Sequence, residues 1–367
     1  MEKPLVSIVL ILFNNEFSII ETMKSISMQT YKNIELIIFN DGCTDNTINM
    51  LKKYMKSNHN IKLFNTAAIG TFKAQKTALN KAKGKYVIFF EPGILMNNNL
   101  IEHLVSNIES NPSEIITCDF FSEPISTLFT RKDITKKSPQ EKIIKINNSK
   151  YMQNLYSKNE HTFENCTVMW NKLINRKWLL STRYIKSTIP LSISYDMIIE
   201  KSNILKTNQI LICKILYDNF YETNCFKYEH LDTINFIESL LIKYKKENNE
   251  NAMYNTSIRL LKFLLRVRKQ LSFFDLELKD KLELRKNIDL KFNSIYKFLV
   301  TKFKNLNLEY EQYNAEYRNL IKFEKFRAKY FYLYPEYTQD YSSELYYDSS
   351  SYTYIADDPN ITELFLS

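Results

Sequence analysis

Apolar positions fall into short runs separated by helix-length stretches of mixed character. Leu5–Phe13 is aliphatic except at Ser7 and is bounded by Pro4 and by Asn14-Asn15, the pattern of a strand buried on both faces. Across Glu16–Gln29 the residues Phe17, Ile20, Met23, Ile26 and Met28 recur at helical spacing. A second strand, Ile34–Phe39, ends at Asn40-Asp41-Gly42, after which Thr44 or Asp45 can cap a helix over Thr47–Lys56. The same reading predicts a strand at Lys62–Asn65, a helix at Phe72–Lys83 and a strand at Tyr86–Phe90. A helix at Asn99–Ser110 and a strand at Glu114–Asp119 follow. This alternation predicts an α/β fold, a doubly wound, mostly parallel sheet. Ligands of such sheets sit past the carboxyl ends of the strands, which directs attention to Phe13–Asn15, Asn40–Asp45 and Glu91–Gly93.

Periodicity then changes. Residues 131–165 are polar and lysine-rich and read as an excursion from the sheet. After about residue 231 the pattern is helical, over Ile234–Tyr244, Tyr254–Leu271, Leu276–Phe303 and Leu306–Tyr330. The expected organisation is an α/β domain over residues 1–230, an all-helical C-terminal domain over 231–330 and an acidic, tyrosine-rich tail over 331–367.

A length of 367 residues with 44% hydrophobic and 25% charged residues fits two globular domains and excludes a disordered chain. No apolar run approaches the roughly 20 residues of a membrane span. Only Lys3 precedes the first apolar run, so no secretory signal is expected and the location predicted is cytoplasmic. Five scattered cysteines and four scattered histidines form no ligand pattern, which argues against zinc and against a disulfide framework. The four glycines, Gly42, Gly70, Gly84 and Gly93, all lie in roughly the first quarter of the chain. Tight-turn β structure is therefore not expected after residue 94.

Net charge is +9, but beyond Lys329 there are seven acids and no basic residue, so residues 1–329 carry +16. A body this basic favours polyanions. Its lysines are spread over several helices with no reader motif, which argues against nucleic acid. Ser257–Phe274, with Arg259, Lys262, Arg266, Arg268 and Lys269 among leucines, suits either an anionic membrane surface or packing within the protein.

Several ordered elements resemble the family 2 glycosyltransferases, which have the GT-A fold. Val6–Asn14 (VSIVLILFN) stands where the family has a strand ending in Pro-Thr-Tyr-Asn, and Gln29–Ile38 (QTYKNIELII) is close to its usual wording. Asn40-Asp41-Gly42-Cys43-Thr44-Asp45 matches its Asp-Asp-Gly-Ser-Thr-Asp element, and Ala82-Lys83-Gly84-Lys85-Tyr86 leads into the next strand as in the family. Trp170-Asn171-Lys172-Leu173 resembles the acceptor-side half of many members, and the resemblance spans roughly residues 4–225.

The resemblance implies a nucleotide-sugar site containing Phe13, Asn14, Asp41, Gln75, Lys76, Glu91 and Gly93. Phe13 would pack on the base and Asp41 would accept the base N–H. Glu91-Pro92-Gly93 stands where members carry the Asp-x-Asp motif for Mn²⁺ or Mg²⁺, so Glu91 is the one remaining candidate metal ligand. Gln75 and Lys76 occupy the place of an Arg-Asn pair, and Lys73 or Lys76 could neutralise the diphosphate instead of a metal. Asp196, ahead of an apolar stretch, matches the general base of an inverting transferase. The implied activity is transfer from a nucleotide sugar, a UDP-sugar foremost, to a bacterial surface glycan, lipid-linked or protein acceptor. It would occur in the cytoplasm or on the inner face of the cytoplasmic membrane. The alternative is a catalytically inactive GT-A module acting as partner or scaffold of an active glycosyltransferase, and a homo-oligomer is open under either reading.

Overall fold

The computed structural model describes residues 3–56, 61–67, 69–124, 140–146, 151, 154, 159–182, 203–216, 229–273, 278–304 and 309–333. It divides into two compact units, one of residues 1–218 with 231–256 and one of residues 219–230 with 257–367.

The first unit is built on a nine-stranded sheet. Its centre is β1 (Val6–Leu12), every residue of which is buried. β1 runs parallel to β2 (Ile34–Asn40) and to β4 (Tyr86–Phe90), with Val6 opposite Ile34 on one side and Tyr86 on the other. β3 (Ile61–Asn65) extends the sheet in parallel beyond β2. On the other flank β5 (Ile94–Met96), β6 (Ile115–Pro124), β7 (Ile143–Ile146), β8 (Lys172–Asn175) and β9 (Ile204–Leu216) complete it. The order is β3-β2-β1-β4-β8-β6-β9-β5, with β7 also on β9. β4–β8, β6–β8, β5–β9 and β7–β9 are antiparallel, so the sheet is mixed.

Alternate residues of β1 feed two cores, because side chains of a strand point to opposite faces. Ile8, Leu10 and Leu12 join one face with α1 (Ile19–Ser27) and α4 (Leu100–Ser110). Leu51 of α2 (Thr47–Met55) packs on the same side. Val9 and Ile11 join the opposite face with Phe72, Ala74, Ala78 and Leu79 of α3 (Thr71–Lys81). Helices thus cover both faces, as the alternation predicts.

At the amino ends of the strands a buried carboxylate ties the sheet together. Glu35 Oε1 accepts hydrogen bonds from Ser7 Oγ at 2.6 Å and from the backbone N–H of Lys83 at 2.6 Å. Lys62 Nζ lies 2.8 Å from Oε2.

Three expectations are corrected. Among the described residues five strands begin at or after residue 94, more β structure than the lack of glycine there suggests: β5 follows the short turn Glu91–Gly93, and β6 and β8 each follow a helix. The lysine-rich excursion returns to the sheet as β7, with Ile143 opposite Thr207 of β9. It then supplies α5 (Glu160–Thr167), ahead of α6 (Arg176–Ser181). The residue preceding α2 is Asn46, and its side chain makes no capping bond. Asp45 acts one step earlier, Oδ1 accepting the N–H of Thr47 at 3.0 Å.

The helices that follow are α7 (Glu229–Lys246), α8 (Glu250–Phe273), α9 (Leu278–Lys302) and α10 (Glu309–Leu333). In the second unit Leu260, Leu261, Leu264, Leu265 and Leu271 of α8 are buried. Of the basic side chains of α8, buried Arg268 pairs with Asp289 at 2.8 Å and the more open Lys269 pairs with Glu316 at 3.1 Å, while Arg266 is exposed. No described helix is long and apolar enough to cross a membrane.

Candidate active site

The loops at the carboxyl ends of β1 and β2 are laced together by side chains. Asn14 adopts φ 53°, a left-handed conformation that Asn tolerates better than most residues. Its Oδ1 accepts from the N–H of Thr44 at 2.8 Å and of Asp45 at 3.3 Å. Asp45 Oδ2 in turn accepts the N–H of Glu16 at 3.0 Å, and Thr47 Oγ1 accepts that of Asn15 at 2.7 Å. Asn14 is therefore a brace between two loops, and Phe13 beside it is 42% exposed. An aromatic ring partly exposed on a braced loop is of the kind that stacks on a flat ligand.

Asp41 is 3% exposed, and its backbone N–H bonds Leu12 O at 2.9 Å. Its Oδ1 accepts from Thr66 Oγ1 at 2.8 Å and from the N–H of Ile69 at 2.7 Å. Ile69 directly precedes Gly70, which has φ 89° and starts α3. One carboxylate oxygen thus sets where α3 begins, and with it Gln75 and Lys76. Gln75 is buried. Lys76 Nζ lies over the Phe72 ring, 4.8 Å from its centroid, and lost hydration lowers its pKa.

The turn from β4 to β5 carries Glu91 and Gly93. Gly93 is buried with φ 86°, where a side chain would be strained. Its N–H bonds Thr22 Oγ1 at 3.0 Å, and its carbonyl accepts from Ile215 N–H at 2.9 Å. Glu91 is an exposed residue, and desolvation by the surrounding chain pushes its pKa up to about 6. The field of Lys214 lowers it and that of Glu164 raises it, and these two residues form an ion pair. Among the described residues no three His, Cys, Asp or Glu side chains come together to hold a metal ion. With Gly93 lacking a side chain, the residues of this turn do not fit the metal site the resemblance implies.

Lys214 and Glu164 were not legible as site residues, since neither lies in a motif. Glu164 reaches its place because α5 is pinned to the sheet. Asn165 Nδ2 bonds Asp119 Oδ1 at 2.7 Å, and His161 stacks on Phe120 with ring centroids 4.4 Å apart. Lys172, 2% exposed, donates to the carbonyls of Asn165 at 2.9 Å and Val168 at 2.5 Å, and to Asn171 Oδ1 at 2.8 Å. Its ammonium meets the carboxyl end of α5, where helix carbonyls lack partners. Burial lowers its pKa to about 8. Asp196 lies outside the described residues.

The model of the family described as Glycosyl transferase family 2 matches residues 7–178. The uncharacterized glycosyltransferase EpsJ of Bacillus subtilis (strain 168) is 30% identical over 120 residues, 33% of this chain and 35% of that protein. Glycosyltransferase GlyA of Streptococcus pneumoniae serotype 4 is 26% identical over 179 residues, 49% of this chain and 25% of that protein. The chain thus spans between a quarter and about a third of the length of these two relatives. The crystal structure of S. aureus TarS 1-349 in complex with UDP-GlcNAc superposes with a TM-score of 0.52 at 15% identity, covering 89% of this chain and 92% of that one. At that identity the likeness shows the fold, which is GT-A-like. Residues 7–178 thus resemble glycosyl transferase family 2.

Proposed function

We propose that the chain is an inverting glycosyltransferase that moves a sugar from a nucleotide-sugar donor to a bacterial surface glycan, lipid-linked or protein acceptor. The observation that carries this reading is Asp41. It is a buried carboxylate at the end of β2 whose Oδ1 is occupied by Thr66 and Ile69, which reserves Oδ2 for a base N–H. Exposed Phe13 beside it supplies the ring to cover the base. A UDP-sugar is the donor to test first, since the TarS protein of like fold was crystallised with UDP-GlcNAc.

Asp196 is the proposed general base, removing the proton of the acceptor hydroxyl as its oxygen attacks the anomeric carbon from the face opposite the diphosphate. The bond from that carbon to the phosphate oxygen breaks, and the nucleoside diphosphate leaves with the electron pair. Calorimetric titration with UDP, GDP and their sugars, with Mn²⁺ and with EDTA, tests the donor site. Binding of one nucleotide class in preference to the other supports it, and silence across the panel overturns it. Asp196→Asn should abolish transfer while donor binding persists.

A further inference from the structure

The turn that should hold a metal ion instead presents a buried glycine with both backbone groups bonded, so the charge that balances a diphosphate there must come from elsewhere. Strand β9 brings one. Lys214 stands opposite Ile94 in the antiparallel β5–β9 pair, and the N–H of the next residue, Ile215, bonds Gly93 O at 2.9 Å. The Lys214 ammonium is therefore anchored one strand away from the turn, close enough for its field to act on Glu91. Its partner is Glu164 of α5, and the side chains of the pair are 31% and 30% exposed. The pair is partly open to water, where solvent screens its attraction and a ligand can reach it. Other cations of the unit are committed differently: Lys206 holds Asp119 at 2.8 Å, Lys172 is enclosed by three oxygens and Lys76 covers Phe72.

We propose, on the donor reading above, that Lys214 is a donor-binding residue, the fixed cation that meets the diphosphate, with Glu164 as its resting partner. The arriving diphosphate takes the ammonium, and Glu164 is released to water. During transfer the anomeric C–O bond breaks and its electron pair passes to the diphosphate oxygen. The negative charge on that oxygen grows beside an ammonium that is already in place.

The test is titration of the purified chain with UDP and with GDP, in EDTA and again with Mn²⁺, for wild type, Lys214→Met and Glu164→Gln. The expected result is that the better-bound nucleotide binds wild type in EDTA. Lys214→Met should weaken it by about tenfold or more, the scale of a lost charge-assisted hydrogen bond. Glu164→Gln should tighten it by about threefold, since a competing carboxylate is gone. Opposite shifts from the two halves of one ion pair are not produced by mere loss of packing. Equal binding by wild type and Lys214→Met in EDTA overturns the assignment while leaving the donor site intact. Wild-type binding that appears only with Mn²⁺ overturns it as well. No binding of either nucleotide in either buffer overturns it together with the donor reading. If Lys214→Met does not fold, Glu164→Gln decides: unchanged or weaker binding counts against the assignment.

Discussion

The carboxylate of Asp41 accepts the backbone N–H of Ile69 at 2.7 Å, joining residues 28 positions apart. This bond ties the proposed base-binding acid to the start of α3. A ligand that engages Asp41 therefore meets a site whose α3 side is already in place, which lowers the ordering cost of binding.

Asp41→Asn keeps an oxygen for Thr66 and Ile69 but presents an amide donor to the base N–H. Nucleotide affinity should fall about tenfold with little change in melting temperature. Asp41→Ala should also lower stability by about 1–3 kcal/mol, because the Ile69 N–H loses its partner. Calorimetry and thermal melts read the two effects separately.

Gly93→Asp restores the acid that the resemblance implies but should not restore a metal site. At φ 86° a non-glycine residue is strained, and the expected cost is about 1–3 kcal/mol. A melting temperature that rises on adding Mn²⁺ to this variant would contradict the expectation.

Gly84→Ala should be among the most damaging small substitutions. A Cβ there would lie 2.6 Å from Tyr86 O, 2.6 Å from Ser7 Oγ and 2.7 Å from Ser7 N, and two of these atoms are backbone. Gly84 N–H also bonds Ser7 Oγ at 2.9 Å, so the clash falls on the Glu35 network. A loss of about 1–3 kcal/mol is expected in chemical denaturation.

Glu35 gives a pH signature. Burial alone would raise its pKa, but Lys62, Ser7 and the Lys83 N–H together hold it below the ordinary value of 4.5. A carboxyl depressed in the folded state binds fewer protons there than in the unfolded chain. Its stabilisation is therefore complete above about pH 4.5 and is lost as pH falls through the folded value. Glu35→Gln should be less stable than wild type at neutral pH, and the difference should shrink as the solution is acidified. A difference that stays constant from pH 7 to 3 would exclude this role.

The strands around β1 were legible because they are buried on both faces and so are written in unbroken aliphatic residues. Tyr86–Phe90 is a strand to the residue, and Ile34–Phe39 extends by one residue to Asn40. β9 was not legible. Its sequence, ILKTNQILICKIL, has lysine, asparagine and glutamine in its middle, and its pairing with β6 shifts register between Thr117 and Phe120. Short β5 and β8 likewise give too few residues for a period to show.

The same division runs through the site. Phe13, Asn14, Asp41, Glu91 and Gly93 stand at strand ends, and strand ends can be found along one dimension because burial stops there and polar residues begin. The alternation of strand and helix in residues 5–119 was likewise a property of the chain itself, since each element announces its own period. What tertiary structure alone decided is which distant groups face those ends. Thr66 and Ile69 occupy Asp41, Thr22 and Ile215 occupy Gly93, and Lys214 with Glu164 supplies the charge beside Glu91. A single charged or hydroxyl residue leaves no period in the sequence, and its partner is set by how strands pair across more than a hundred residues.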